Sequence, residues 1–248
     1  MTATIIPVIL LLACNSVFGI HGSVKNGDGK MDVFELPNDI GPESYDLTIN
    51  PIFTNFTFQG DVTIVIVIKA HSTKVITLNS KDLSIVNVSV SDVQSSRPIS
   101  VANIVEVPKN EQLEIHVKEH LVSGLKYVLK ISFAGKLRDD KTGFYKSSHI
   151  YERKDTRWSA ITHFYPKYAR RAFPCFDEPS IKVPFKISVM REYYQRASSN
   201  MPLSKTDYYG DCVGRKCDPG SKVYDRFETT PPISTNLVSF YVGEFPRG

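Results

Sequence analysis

The sequence predicts an all-β fold, a sandwich or curved multi-sheet domain, and three observations carry that prediction. Val62, Ile64, Ile66 and Ile68 alternate within D-V-T-I-V-I-V-I-K, the two-residue period of a strand. Similar short runs recur along the chain, separated by Gly, Pro, Asn, Asp or Ser. A helical period of 3.6 is not sustained anywhere beyond the N-terminal apolar run. Many short strands with turn punctuation bury their apolar faces by packing sheet on sheet.

The N-terminal run, Ile5 to Cys14, is shorter than the roughly 20 residues that span a bilayer. It leads into Val17-Phe18-Gly19, whose small or aliphatic residues suit signal peptidase, so residues 1–19 read as a signal peptide cut after Gly19. Residues 20–35 are a Gly/Asp/Lys-rich, loose lead-in, and 36–246 form one domain without an internal boundary or repeat. Within it the expected strands are Tyr45–Asn50, the run through Val62–Ile68, Val75–Leu78, Ile85–Ser91, Leu113–Val117, Tyr127–Phe133, Phe185–Met190, Val223–Thr229 and Leu237–Val242. Val65 and Val67 add apolar residues to the other face of the second run, the mark of a central strand buried on both sides. Residues 92–110 read as a polar connection with a short extended piece.

Residues 160–179, A-I-T-H-F-Y-P-K-Y-A-R-R-A-F-P-C-F-D-E-P, combine adjacent arginines, aromatics, two acids and prolines. Pro174 and Pro179 fix their own φ and push their neighbours toward extended or turn geometry. The stretch reads as a compact, well-packed loop, the kind of element that carries function on a rigid scaffold.

The formal net charge is +4, with basic residues scattered among acids, and no basic-aromatic stripe indicates nucleic acid. No later apolar run approaches membrane-spanning length. Two sequons, Asn55-Phe56-Thr57 and Asn87-Val88-Ser89, fit a secreted or cell-surface glycoprotein. Cys212 and Cys217 lie five positions apart in a Gly/Asp/Pro-rich loop, which allows a short disulfide in an oxidising compartment. Zinc is the rival for a close Cys pair, but C-x4-C lacks a second pair or a nearby His. Cys175, among aromatics, reads as a buried, inert thiol.

His116-Val117-Lys118-Glu119-His120 fits H-x-x-E-H, a zinc-peptidase pattern that works only on a helix, where both histidines share a face. Here it follows Leu113-Glu114-Ile115, which alternates as a strand. On a strand the two histidines stand about 13 Å apart, too far to share an ion. No metal site is assigned. Arg170, Asp177 and Glu178 read as a salt bridge and turn caps, because no nucleophile or metal accompanies them.

The 160–179 block resembles T-Q-F-E-P-x-x-A-R-x-x-F-P-C-F-D-E-P of the aminopeptidase N-like zinc aminopeptidases. Further pieces agree in order: Leu36-Pro37, Pro42 to Leu47, Gly143 to Ser147, Ser199-Asn200-Met201-Pro202, Thr230-Pro231, Ser234-Thr235, Leu237-Val238 and Phe240 to Gly243. The resemblance covers about residues 33–246 and implies the saddle-shaped, antiparallel multi-sheet β-sandwich that begins these enzymes. It implies a zinc cofactor in a full-length form, held by H-E-x-x-H and a later Glu, and a Gly-Ala-Met-Glu-Asn loop that holds the substrate's ammonium group. None of these motifs occurs in the sequence. The chain is therefore expected to be truncated before the catalytic domain, its missing partner, and inactive alone, with no cofactor of its own. Any membrane association would come from a missing C-terminal anchor.

In the family this domain contributes a Gln that reaches the first residue of the peptide substrate. By motif position that Gln is His163 here, and the following Glu is Tyr165. Both are departures. A neutral imidazole accepts through one nitrogen and a phenol only weakly, so amine capture should be weaker, and pH-sensitive near the imidazole pKa. Two expectations result: a substrate-recognition domain of a zinc aminopeptidase, or a stand-alone secreted domain that binds peptide or protein without catalysis. His163 as an unliganded loop residue and Tyr165 as simple packing stay open at this point.

Overall fold

The computed structural model describes residues 35–69, 72–151, 155–209, 212–213, 216–217 and 221–244. The signal-peptide reading, and nearly all of the lead-in, lie outside the described residues.

Apart from three short 3-10 turns, the regular structure of the described residues consists entirely of strands. In order these are β1 (Ile40–Ile52), β2 (Thr57–Ile68), β3 (Thr73–Asn79), β4 (Leu83–Asp92), β5 (Pro98–Ile99), β6 (Val101–Val107), β7 (Gln112–Leu121), β8 (Lys126–Lys136) and β9 (Gly143–Tyr151). They continue with β10 (Asp155–His163), β11 (Phe185–Glu192), β12 (Arg196–Ser199), β13 (Leu203–Tyr209), β14 (Cys212–Val213), β15 (Lys216–Cys217), β16 (Lys222–Phe227) and β17 (Phe240–Gly243). An eight-stranded sheet runs β13-β16-β11-β1-β2-β8-β4-β5, a four-stranded sheet β12-β17-β10-β9, a three-stranded sheet β3-β7-β6, and β14-β15 pair alone. Pairing is antiparallel except between β1 and β11, which run parallel with Tyr45 opposite Phe185. The fold is the multi-sheet β-sandwich that the alternation predicted.

The second strand shows how the pattern works. Phe58, Val62, Ile64, Ile66 and Ile68 point into the core, while Val65 and Val67 on the other face are only half-buried. The strand is central, between β1 and β8, but its second face is not sealed, which corrects the expectation of burial on both sides. Gly60 and Gly135 each face an aromatic ring of the cross-strand partner: Gly60 pairs with Phe133, and Phe58 pairs with Gly135. The missing side chains leave room for the rings to lie over the backbone.

An unbroken run of aromatic contacts ties the sheets together. It passes from Phe133 to Phe58, Phe144, Phe240, Phe164, Phe173, Tyr45 and Phe185, with successive ring centroids 4.5 to 6.5 Å apart. All but the 9° stack of Tyr45 on Phe185 meet edge to face, the arrangement favoured by ring quadrupoles. Phe164 and Phe173 belong to the 160–179 stretch. Its aromatics therefore form the junction between the four-stranded sheet and the large one.

Several sequence expectations change. Residues 160–163 end β10 rather than beginning a loop, because their backbone pairs with β9 throughout and, at Ala160 and Ile161, with β17 on the other side. Only 164–184 form the compact loop, with a 3-10 turn at Ala169–Arg171. The polar connection after residue 92 contains β6, a full strand paired with β7. The short extended piece expected there is this strand, and V-A-N-I-V-E-V shows no clean alternation because on an edge strand none of its residues is fully buried. Leu237 closes a 3-10 turn at Thr235–Leu237, and the last strand starts at Phe240.

Candidate functional site

The site is built on the end of β10 and the loop that follows. At the end of β10 His163 is exposed, Phe164 is buried in the aromatic run, and Tyr165, in the turn that follows, is 67% exposed. The two residues singled out by motif position thus flank a core anchor and both reach solvent. Exposure of both removes simple core packing as the account of Tyr165.

His163 is held at two points. Its backbone pairs with Gly143 at the start of β9, and its Nδ1 lies 2.9 Å from the main-chain oxygen of Lys141. The turn carrying that oxygen is braced. Asp140 accepts hydrogen bonds from the Thr142 amide (3.1 Å) and hydroxyl (2.8 Å). Arg138 donates to Asp140 through Nε at 3.0 Å and to Asp82 through Nη1 at 2.8 Å. Arg171 reaches Asp140 at 3.2 Å and the Thr142 hydroxyl at 3.1 Å. The bonds from Arg138, reinforced by those from Thr142, hold the Asp140 carboxyl far below the usual carboxylate range. Lys141 and Gly143 both take positive φ, 59° and 66°. A Cβ on Gly143 would come within 2.8 Å of Arg171 Cβ, so this position requires glycine on two counts.

Beneath the exposed edge lies a sealed ionic frame. Arg170 Nε donates to Asp177 Oδ2 at 2.9 Å, and the Thr235 hydroxyl donates to Asp177 Oδ1 at 2.8 Å. The Asn79 side chain accepts from the Asp177 amide at 3.0 Å. The Asn79 and Cys175 backbones exchange hydrogen bonds of 2.8 and 3.1 Å, which sews the loop to β3. Glu111 pairs with both Lys81 and Arg170. Burial works against its charge, yet the two cations outweigh that and lower its pKa. Burial likewise opposes the Arg170 charge, and Asp177 and Glu111 more than restore it, raising its pKa. The salt-bridge reading of Arg170 and Asp177 holds. Cys175 is free and buried, and burial pushes its thiol pKa well up, the opposite of an activated nucleophile.

His116 and His120 lie on β7, a strand, and His116 Nε2 meets Glu114 Oε2 at 3.0 Å. Among the described residues no group of three or more His, Cys, Asp or Glu is placed to hold a metal ion. Asn55 sits exposed at the β1–β2 turn, its side-chain oxygen accepting from the Thr57 amide and hydroxyl, and Asn87 is exposed on β4. Cys212 stands opposite Cys217 in the β14–β15 ladder, and their side chains lie outside the described residues. Trp158 packs edge-on against Phe56, and Tyr193 against Tyr194.

Sequence reasoning did not find Arg138, Asp140, Thr142 or Arg171 as the support of His163. The signal was present as Asp140-Lys141-Thr142-Gly143, an Asx-turn composition ending in glycine, but nothing local ties that turn to His163.

Fold and edge together define a multi-sheet β-domain that displays polar side chains from a rigid junction. Residues 41–237 match the peptidase M1 N-terminal domain, and the chain belongs to the M1 peptidase family through that domain. It is 38% identical over 213 residues to human endoplasmic reticulum aminopeptidase 2, covering 85% of this chain and 21% of that protein. Human endoplasmic reticulum aminopeptidase 1 is 35% identical over 232 residues, 91% of this chain and 23% of the relative. The membrane alanyl aminopeptidase of Manduca sexta is 31% identical over 227 residues, 86% and 22%. The chain spans about a fifth of the length of these relatives.

Proposed function

We propose that this chain is the substrate-recognition domain of a zinc aminopeptidase that removes N-terminal residues from peptides outside the cytosol. The observation that carries the reading is the placement of His163 and Tyr165. Both project from the braced end of β10, on either side of the buried Phe164. In this reading residues 36–246 shape the pocket for the peptide's first residue, and a catalytic domain supplies the zinc and the water-activating acid. A signal peptide over residues 1–19, glycans on Asn55 and Asn87 and a Cys212–Cys217 disulfide belong to the same reading, which locates the protein as secreted or on the cell surface. Any membrane anchor would belong to the longer form. Directly opposed residues of an antiparallel pair have Cα atoms about 4.5–5.5 Å apart, within the reach of a disulfide.

The test is the transcript beyond the codon for Gly248. Continuation in frame into Gly-Ala-Met-Glu-Asn and H-E-x-x-H supports the reading, and the complete protein should then release the N-terminal residue of unblocked peptides. A stop codon directly after Gly248, with the short chain secreted, overturns it. A second reading, a non-catalytic peptide- or protein-binding domain, is favoured by one observation: His163 and Tyr165 replace the stronger acceptors Gln and Glu expected by motif. Zinc-independent peptide binding by the chain, together with that stop codon, would select it.

A further inference from the structure

We propose that the main-chain carbonyl of Lys141 is a positioning group that holds the His163 imidazole in its Nδ1–H tautomer, leaving Nε2 as a single acceptor aimed outward for the α-ammonium group of a peptide. The inference rests on the reading of His163 as a recognition residue.

A carbonyl oxygen can only accept. The 2.9 Å contact between Lys141 O and His163 Nδ1 is therefore a hydrogen bond only when Nδ1 carries the proton. A neutral imidazole has one N–H, so Nε2 keeps its lone pair. An exposed imidazole without such a partner exchanges freely between tautomers and swings about χ1 and χ2. The bond to Lys141 opposes both at His163, because its carbonyl partner sits in a braced turn. Lys141 is fixed at positive φ between Asp140 and Thr142, which bond to each other and to Arg138 and Arg171. Two residues on, Gly143 pairs with the backbone of His163 itself. Backbone and ring are thus referenced to the same turn.

This arrangement compensates in part for the change from a carboxamide to an imidazole. A carboxamide offers an acceptor and a donor, and can present either by rotation. The tethered imidazole offers only the acceptor, which suits a charged ammonium donor and binds the single neutral N–H of an acylated N-terminus more weakly. Arg138, Asp140, Thr142 and Arg171 act through the Lys141 carbonyl and touch no substrate in this account.

The experiment is long-range ¹H–¹⁵N NMR of the imidazoles in the 248-residue chain, above the ordinary imidazole pKa of about 6.5. His163→Gln identifies the signals by their loss. The expected result is a protonated Nδ1 and an unprotonated Nε2 at His163. Lys141→Asn, which keeps the carbonyl and tolerates positive φ, should retain it, and a folded Asp140→Ala should raise the Nε2–H population severalfold. A dominant Nε2–H form in the unaltered chain overturns the positioning role, whatever the variants do. Trialanine should then shift the Nε2 resonance, and N-acetyl-trialanine should not. If the tautomer is as stated but the two peptides act alike, the recognition reading fails while the tautomer stands, so the two failures are distinguishable.

Discussion

Arg170 Nε lies 2.9 Å from Asp177 Oδ2, with side chains only 4% and 1% exposed. The pair clamps the middle of the loop whose aromatics join the sheets. It is held from outside by Thr235, Asn79 and Glu111, so each charge has several partners and neither is left bare. Asp177→Ala would strand the guanidinium in the interior. A loss of about 3–5 kcal/mol is expected, read as a lower urea midpoint with an unchanged slope.

The glycines under aromatic rings give a second prediction. A Cβ on Gly60 would lie 2.5 Å from Phe133 Cζ and 2.9 Å from the Thr48 carbonyl, and one on Gly135 would lie 2.5 Å from Phe58 Cζ. Gly60→Ala should destabilise the chain by about 1–3 kcal/mol through overpacking, despite alanine's better fit to a strand. Thermal unfolding of Gly60→Ala beside Thr63→Ala, an ordinary site on the same strand, separates the two effects.

Cys175 should be inert until the chain unfolds. Its thiol pKa is raised by burial, so the folded state favours the neutral form. That contribution to stability is full below the ordinary thiol value of about 8.5 and is lost as pH rises above it. Iodoacetamide at neutral pH should leave Cys175 unmodified in native protein and alkylate it in denaturant, by peptide mass mapping.

Acid should loosen the turn under His163 early. The Asp140 carboxyl is depressed in the fold by Arg138 and Thr142, so its contribution is present above the unfolded value of about 3.9 and lost as pH falls below it. Amide exchange at Thr142 should accelerate over that window. Asp140→Asn should remove the pH dependence. Equal acceleration in both proteins would assign the effect to another carboxylate.

The β14–β15 pair makes a prediction about covalent structure. Non-reducing digestion of protein from a secretory host should give one peptide linked through Cys212 and Cys217. Closing so short a loop contributes about 2 kcal/mol in the chain-entropy account. A pair of free thiols in that material would refute the bridge.

Much of the fold was legible because alternation is a local property. The apolar positions of β2, β8 and β11 announced their buried faces directly. The edge strand β6 showed only as a short extended piece, since none of its residues is fully buried and its full length rests on pairing with β7. The same holds for β10. Ala160–His163 lacks alternation of its own and is extended because it pairs with β9, with β17 on the other side of Ala160 and Ile161. The H-x-x-E-H run is the converse case: the motif is present, and it lies on a strand rather than on the helix that the pattern needs.

By itself the sequence determined the class of the fold, the family and the position of His163 and Tyr165, all of which reside in composition, period and ordered motifs. Only the tertiary structure decided how those two residues are displayed, exposed on either side of the buried Phe164. The orientation of His163 depends on Lys141, 22 positions away, and on Arg171 beyond it. A hydrogen bond between distant segments leaves no trace in local pattern. Its geometry is set by sheet pairing and by charges brought together only after the chain has closed.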